Sequence, residues 1–212
     1  MPHKDYQILQ LNRDHPKQWI QQVAEIHLTE LVEGALRNLG VEGLEVIYSS
    51  MVTIPRCGLW CVIDSNRVIG FIAGCADIRL FYKSLFLKSA LPLACISFQR
   101  VLNSHSFGNL FKTLVYPFQS SQWIQAPVEI HETRAELVAI AVRKDFHHQG
   151  IGRMLLLPLE EAFHEWRVGS FYHVATDSRD PLSNGFYRGM GFSKYGVKKF
   201  TNFSLQIYEK KI

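Results

Sequence analysis

The sequence lacks any long apolar run, and this absence excludes a membrane-spanning helix. Its longest apolar stretches, such as residues 90–98, are far shorter than the roughly 20 apolar residues that a spanning helix needs. The first residues, Met-Pro-His-Lys-Asp-Tyr-Gln, contain no apolar core of a secretory signal. We therefore expect a cytoplasmic protein with no transmembrane segment.

Patterns typical of metal binding and nucleic-acid binding are also missing. The four cysteines include no Cys-x-x-Cys pair, and Cys57 and Cys61 lie at an even spacing on a predicted strand, so we expect buried free thiols and no metal. Lys and Arg number 23 and Asp and Glu number 19, which leaves a net charge of only +4 without a concentrated basic stripe. This mild charge argues against a nucleic-acid partner.

The sequence does have enough apolar material for a complete core. Of its 212 residues, 47% are hydrophobic, which fits a single domain over residues 1–212. The most informative stretch begins at Glu136–Val142, a β-branched apolar segment that predicts a strand. From Ile151 to Trp166, leucines on one side and glutamates on the other predict a helix, which Pro158 should kink.

The turn between this strand and this helix carries two glycines. The first amides of a helix lack internal acceptors and lie at the positive end of its dipole, so a phosphate can bind there. Gly150 and Gly152 lack a Cβ atom, which lets an anion approach the backbone, and Arg143, Lys144 and Arg153 add positive charge. The loop alone fits an ordinary strand–helix turn equally well. It is not a Walker loop, and the third glycine of a dinucleotide fingerprint is missing.

Two sequence motifs together indicate a more specific role for the glycine loop. Residues 140–156, I-A-V-R-K-D-F-H-H-Q-G-I-G-R-M-L-L, closely resemble the acetyl-CoA-binding motif of the GNAT N-acetyltransferase superfamily. Gly150 and Gly152 match the glycines of that motif, whereas His147 stands where the family usually has Arg or Gln. Residues 184–192, N-G-F-Y-R-G-M-G-F, are similar to the family's later motif. The resemblance covers roughly Leu59 to Tyr208, apart from an insertion.

The resemblance implies an α/β (α+β) fold, with a mixed, mostly antiparallel central sheet flanked by helices. The remaining segments fit that order. Periodicity and turn residues predict strands at Tyr6–Leu11, Leu59–Ile63, Val68–Cys75, Phe171–Thr176 and Phe203–Tyr208, and helices at Lys17–Leu31, Leu44–Met51 and Asp180–Met190.

The same resemblance implies the roles of particular residues. Glu136 resembles the glutamate of the family's fourth strand, which deprotonates the acceptor amine directly or through a water, and Tyr187 matches the tyrosine that protonates the leaving sulfur. Asn184 would hold the pantetheine arm of the cofactor. Glu132, Asp77 and His131 are fallback bases without a motif. The other implied cofactor-binding residues are Ile140, Ala141, Val142, His147, His148, Gln149, Gly150, Ile151, Gly152 and Arg153.

Residues 80–134 exceed what the family needs between its third and fourth strands. They are rich in Phe and Leu, and we predict a helical insertion of two or more amphipathic helices. Extra core, a lid over the acceptor site, a homodimer surface and peripheral contact with a membrane surface are all open interpretations.

The expected function is that of an acetyl-CoA-dependent N-acetyltransferase that moves the acetyl group directly to a primary amine of a small acceptor within a ternary complex. An acetyl-enzyme is not indicated, because neither motif contains a cysteine. Amino sugars and their nucleotide conjugates, polyamines and peptide or protein N-termini remain open as acceptors. The alternative is a non-catalytic acyl-CoA sensor with the same fold.

Overall fold

An eight-stranded mixed sheet forms the centre of the computed structural model, which describes residues 6–31, 39–88, 122–125, 133–200 and 203–212. The strand order is β1-β2-β3-β5-β6-β8-β7-β4, and every neighbouring pair is antiparallel except β5 and β6. The strands are β1 (Gln7–Gln10), β2 (Cys57–Asp64), β3 (Arg67–Cys75), β4 (Gln122–Gln125), β5 (Glu136–Val142), β6 (Phe171–Asp177), β7 (Ser193–Lys199) and β8 (Ser204–Lys211). The predicted mixed, mostly antiparallel sheet is confirmed.

Helices cover both faces of the sheet. They are α1 (Lys17–Glu30), α2 (Gly40–Met51), α3 (residues 78–88 in its described part), α4 (Ile151–Glu165) and α5 (Pro181–Gly189), with a short 3-10 turn at Lys144–Phe146. Among the described residues, no helix is both long and apolar enough to cross a bilayer.

Local chemistry explains one predicted turn and one predicted helix start. Between β2 and β3, Ser65 and Asn66 both have positive φ, at 50° and 65°, as the tight turns that match strand twist require. At the start of α5, the Asp180 carboxylate accepts hydrogen bonds from the amides of Leu182 and Ser183, and Pro181 occupies the first turn.

The insertion is described only in part. Residues 78–88 are helical, as predicted, whereas β4 is a strand that the sequence did not predict. It pairs antiparallel with β7, Gln122 opposite Lys199. The helices predicted elsewhere in the insertion lie in residues 89–121 and 126–132, outside the described residues.

Strand alternation divides the core into two layers. In β3, Phe71 packs on the α1–α2 side, whereas its neighbour Ile72 packs on the α4 side. Helix α4 buries Leu155, Leu159 and Phe163 against the sheet. It runs through Pro158 as one helix, so the kink stays a prediction.

The described cysteines agree with the expectation of free thiols. Cys61 and Cys75 are buried and Cys57 is half-buried, all three without a disulfide. Cys95 lies outside the described residues.

A buried histidine makes the stability of the fold depend on pH. His27 is 5% exposed, its Nδ1 lies 2.7 Å from the Tyr48 hydroxyl, and its ring stacks on Phe71. Burial lowers the pKa of His27 from its ordinary 6.5 to about 4. A lowered pKa contributes stability that is present above pH 6.5 and is lost as pH falls toward 4.

We therefore expect the free energy of unfolding to fall by up to about 3 kcal/mol between pH 7 and pH 4 through this group, at about 1.4 kcal/mol per pKa unit. Urea unfolding across that range measures the slope. His27→Gln should be less stable at pH 7 but should lose less stability on acidification, whereas exposed His164→Gln should keep the slope of the parent. Equal slopes for the parent and His27→Gln would contradict the assignment.

Candidate active site

The loop between β5 and α4 ends in helix amides that no described group accepts. Gly150 precedes α4 with φ of 78°, and no side chain caps the helix. The first amide that finds a helical carbonyl is that of Met154, which donates to Gly150 O at 3.1 Å. A Cβ atom on Gly150 would meet nothing within 4 Å, so the space beside Gly150, where these amides begin, is open. This is the arrangement that binds phosphate.

Positive charge surrounds the open space. Arg143 directly follows β5, and its Nε is buried without a hydrogen-bond partner among the described residues. Lys144 on the loop and Arg153 in the first turn of α4 are both exposed. Orphan amides, an unpaired guanidinium nitrogen and an open volume fit the diphosphate of a nucleotide cofactor.

The second glycine has a different role from the first. A Cβ atom on Gly152 would lie 2.8 Å from Cε2 of Phe186, which belongs to α5. Gly152 therefore allows Phe186 to pack against the first turn of α4. Ile151, between the two glycines, buries its side chain in the core, so its amide is the part of it that faces the loop.

The other predicted loop residues are exposed and partly engaged with protein. His147 Nε2 donates to Val142 O at 2.7 Å, so this imidazole closes the loop onto the end of β5. Gln149 Oε1 accepts a 2.6 Å hydrogen bond from the Tyr6 hydroxyl. His148 has a positive φ of 60° and is exposed. Their contacts with cofactor stay predictions.

Helix α1 also holds the loop. The Lys144 amide donates to Glu30 Oε1 at 3.1 Å, and His147 Nε2 lies 3.9 Å from Glu30 Oε2. The sequence did not predict Glu30 or Tyr6 as loop residues, because both contacts join positions more than one hundred residues apart.

The sheet splits beside this loop. Strands β5 and β6 share one registered pair, Glu136 opposite His173, and then diverge. On the other side of β5 the register with β3 shifts so that Val138 is an extra residue. The β6-facing edge of Ile140–Val142 therefore has no registered strand partner among the described residues. An extended ligand can pair with such an edge.

Glu136 lies at the narrow end of the gap between β5 and β6, where the two strands still pair. It is partly exposed, and burial of its carboxylate raises its pKa from the ordinary 4.5 to about 7, an effect that the charge of Lys198 opposes. A carboxylate with a pKa near neutrality suits a general base. Of the fallback bases, Asp77 caps α3 through the Arg79 and Leu80 amides, and the other two lie outside the described residues.

Tyr187 and Asn184 project from α5 into the α4-side core. Tyr187 is 6% exposed and packs against Phe186, Phe192 and Tyr208. Burial, reinforced by the charge of nearby Asp180, raises the pKa of Tyr187 well above its ordinary 10.0, so the phenol keeps its proton at neutral pH.

The side chain of Asn184 is engaged with protein atoms. Its Nδ2 donates to the carbonyls of Asp177 and Asp180, and its Oδ1 accepts a 2.9 Å hydrogen bond from the Tyr208 hydroxyl. These bonds fix the start of α5 against β6 and β8. Contact between Asn184 and the pantetheine arm stays a prediction.

A separate cavity lies at the opposite end of α4. It has a volume of about 540 Å³, and its described lining includes Arg56, Asp77, Arg134 and Arg167. Two of these arginines have protein partners: Arg134 pairs with Asp77 at 3.4 Å, and Arg56 donates to a backbone carbonyl. Within the part of the chain that is described, no group of His, Cys, Asp and Glu could hold a metal ion.

A splayed mixed sheet with a glycine loop at a helix N-terminus defines the acyl-CoA N-acyltransferase class of fold. The profile of the acetyltransferase (GNAT) family matches residues 20–192, and the chain belongs to this family. The predicted family and enzyme class are therefore confirmed. A search of curated proteins found no match.

Solved structures agree on the fold at low sequence identity. The PaiA N-acetyltransferase of Thermoplasma acidophilum in complex with coenzyme A is 14% identical with a TM-score of 0.58, over 99% of this chain and 100% of that one. The ribosomal-protein-S18-alanine N-acetyltransferase of Escherichia coli is 12% identical with a TM-score of 0.56, over 98% and 94%. A GNAT acetyltransferase of Elizabethkingia anophelis with acetyl-CoA bound is 13% identical with a TM-score of 0.52, over 99% and 100%.

Proposed function

We propose that this acetyltransferase uses acetyl-CoA and transfers the acetyl group directly to a primary amine of a small acceptor. The observation that carries the proposal is the open space at Gly150 in front of uncapped α4 amides, beside the unpaired edge of β5. The loop accounts for the diphosphate, and the strand edge accounts for the extended pantetheine arm. Both elements point to the same ligand.

The acceptor amine must lose a proton before or during attack. An alkyl ammonium has a pKa of about 10.4, so a base is needed near pH 7. Glu136 supplies it, because its raised pKa of about 7 makes the carboxylate a stronger base than an exposed glutamate. Attack of the neutral nitrogen on the thioester carbonyl then forms the N–C bond and breaks the C–S bond.

The leaving thiolate needs a proton, and Tyr187 is the donor that the site offers. Its phenol is buried, protonated and located on the helix that packs against the first turn of α4. Neither motif contains a cysteine, which favours direct transfer over an acetyl-enzyme.

Release of free thiol from acetyl-CoA, followed across amino sugars, polyamines, amino acids and peptide N-termini, tests the proposal. We expect amine-dependent thiol release with at least one of these classes. Cofactor binding without turnover on any amine would favour the sensor instead, and absence of cofactor binding would remove the proposal altogether.

Tyr187→Phe is expected to lower kcat by about 10²-fold, because the leaving sulfur loses its proton donor. The KM for acetyl-CoA should change little, since the ring and its packing remain. Tyr172→Phe is the matched control: it removes a hydroxyl from the same aromatic cluster, but that hydroxyl donates to Glu160 at 2.7 Å. Full activity of Tyr187→Phe would exclude the acid role.

A further inference from the structure

A row of polar side chains crosses the sheet beside Glu136. The register places Cys75, Glu136, His173 and Glu209 opposite one another on β3, β5, β6 and β8. Adjacent strands lie about 4.8 Å apart, so His173 stands between two carboxylates. The proposed mechanism uses only Glu136 from this row.

Glu136, His173 and Glu209 share one face of the sheet. Their sequence neighbours Leu137, Tyr172 and Tyr208 all pack in the core layer on the α4 side. Because successive side chains of a strand alternate between faces, Glu136, His173 and Glu209 project from the opposite face.

His173 and Glu209 form an oriented pair. His173 Nε2 lies 3.1 Å from Glu209 Oε2, and Glu209 is only 8% exposed. A carboxylate oxygen only accepts, so Nε2 carries the hydrogen and Nδ1 is the basic nitrogen of the ring. The Tyr195 ring, centred 4.5 Å from the imidazole, adds packing that fixes the ring plane. A carboxylate that fixes the tautomer of an imidazole is the arrangement that serves a general base.

We propose that the Glu209–His173 pair receives the proton of the acceptor amine from Glu136, so that His173 is a further residue of the proton path and Glu209 its positioning residue. The inference rests on the proposed function. The N–H bond of the amine breaks as an O–H bond forms on Glu136. That O–H bond then breaks as an N–H bond forms at His173 Nδ1, directly or through one water. Each step is a proton transfer without oxidation or reduction, and His173 later returns the proton to solvent.

The pH dependence of this path involves several neighbours. Besides the members of the row, the described ionisable groups that act on it include Cys57 and Asp77 beside Cys75, and Tyr195 and Lys198 on β7. Lys198 favours the ionised form of Glu136, whereas burial opposes it. Removal of His173 should therefore change the pH profile of turnover as well as its height.

The test compares His173→Gln, Glu209→Gln and the double variant with the parent enzyme. We expect kcat to fall about 10- to 100-fold in His173→Gln and less in Glu209→Gln, with an altered acidic limb of the pH profile and unchanged affinity for coenzyme A. The double variant should be no slower than His173→Gln, because the pair acts as a unit. Added imidazole should restore part of the turnover of His173→Gln.

His164→Gln, which removes an exposed histidine of α4, should behave as the parent. An unchanged kcat and pH profile in His173→Gln would overturn the proposal.

A second measurement separates this inference from the proposed function. Nitrogen-15 NMR of the imidazole rings in the parent protein should show His173 as the Nε2–H tautomer, and Glu209→Gln should weaken that preference. An Nδ1–H tautomer would overturn the pair whatever the turnover. If the parent enzyme acetylates an amine and His173→Gln acetylates it equally well, only the proton path fails. If the parent acetylates nothing, the proposed function and the path built on it fail together, although the tautomer still decides whether the pair is oriented as described.

Discussion

Replacing Gly150 with Glu should weaken binding of acetyl-CoA by more than 100-fold, equivalent to about 3 kcal/mol. The added side chain enters the open space beside Gly150, where a Cβ atom would meet nothing within 4 Å, next to the first amides of α4. Its carboxylate would compete for the same amides and repel the phosphates. The positive φ of 78° adds strain of about 1–2 kcal/mol for any residue with a Cβ atom.

Two controls separate charge from strain. Gly150→Lys has the same φ and a similar bulk but the opposite charge, so it should lose less affinity than Gly150→Glu. Gly169→Glu introduces the same charge at another glycine with open surroundings, remote from the loop, and should bind the cofactor as the parent does. Isothermal titration with coenzyme A gives the affinities. An unchanged affinity in Gly150→Glu would refute the assignment of the loop.

Replacing Glu136 with Gln should lower kcat by about 10²- to 10³-fold, because the nearly isosteric amide cannot accept the proton of the amine. In the parent enzyme, kcat/KM should decline below about pH 7 as Glu136 becomes protonated. The variant should lack that limb while it keeps its affinity for coenzyme A. If Glu136→Gln kept the kcat/KM of the parent and the same pH profile, another group would be the base.

The pH dependence of protein stability gives an independent test of the raised pKa of Glu136. Its folded pKa of about 7 lies above the ordinary 4.5, so the contribution of Glu136 to stability is present below pH 4.5 and is lost as pH rises through 7. At about 1.4 kcal/mol per pKa unit, the ionised group costs at most about 3 kcal/mol. Glu136→Gln should therefore melt at a higher temperature than the parent at pH 8, and the gain should shrink at pH 5. A lower melting temperature at pH 8 would contradict the burial of an ionised carboxylate.

Local patterns predicted much of the fold. Alternation in β2 and β3, with Ser65 and Asn66 between them, is enough for a hairpin, because two residues with positive φ match the twist of paired strands. The glycine loop and the apolar side of α4 are likewise encoded within thirty residues of one another. The open space at Gly150 is compatible with cofactor binding there, which stays a prediction.

Long-range register could not be read in the same way. Gln122–Gln125 shows no strand pattern of its own and pairs with β7 about seventy residues later. Periodicity gives the face of a residue but not its partner on the next strand. The sequence therefore could not show that His173 lies opposite Glu136 and bonds to Glu209. The available signal was His173 itself, a histidine between the aromatic and apolar neighbours Tyr172 and Val174 in β6.

The divergence of β5 and β6 also has a mechanical consequence. Because one registered pair joins these strands, the sheet consists of two four-stranded halves with a seam between them. Helix α4 bridges the two halves, because its Phe163 packs against Tyr172 of β6 while its Leu159 packs against Gly74 of β3. A ligand lying along the seam would pair with β5 as a ninth strand and hold the two halves together. Binding of the ligand should therefore make the sheet more rigid.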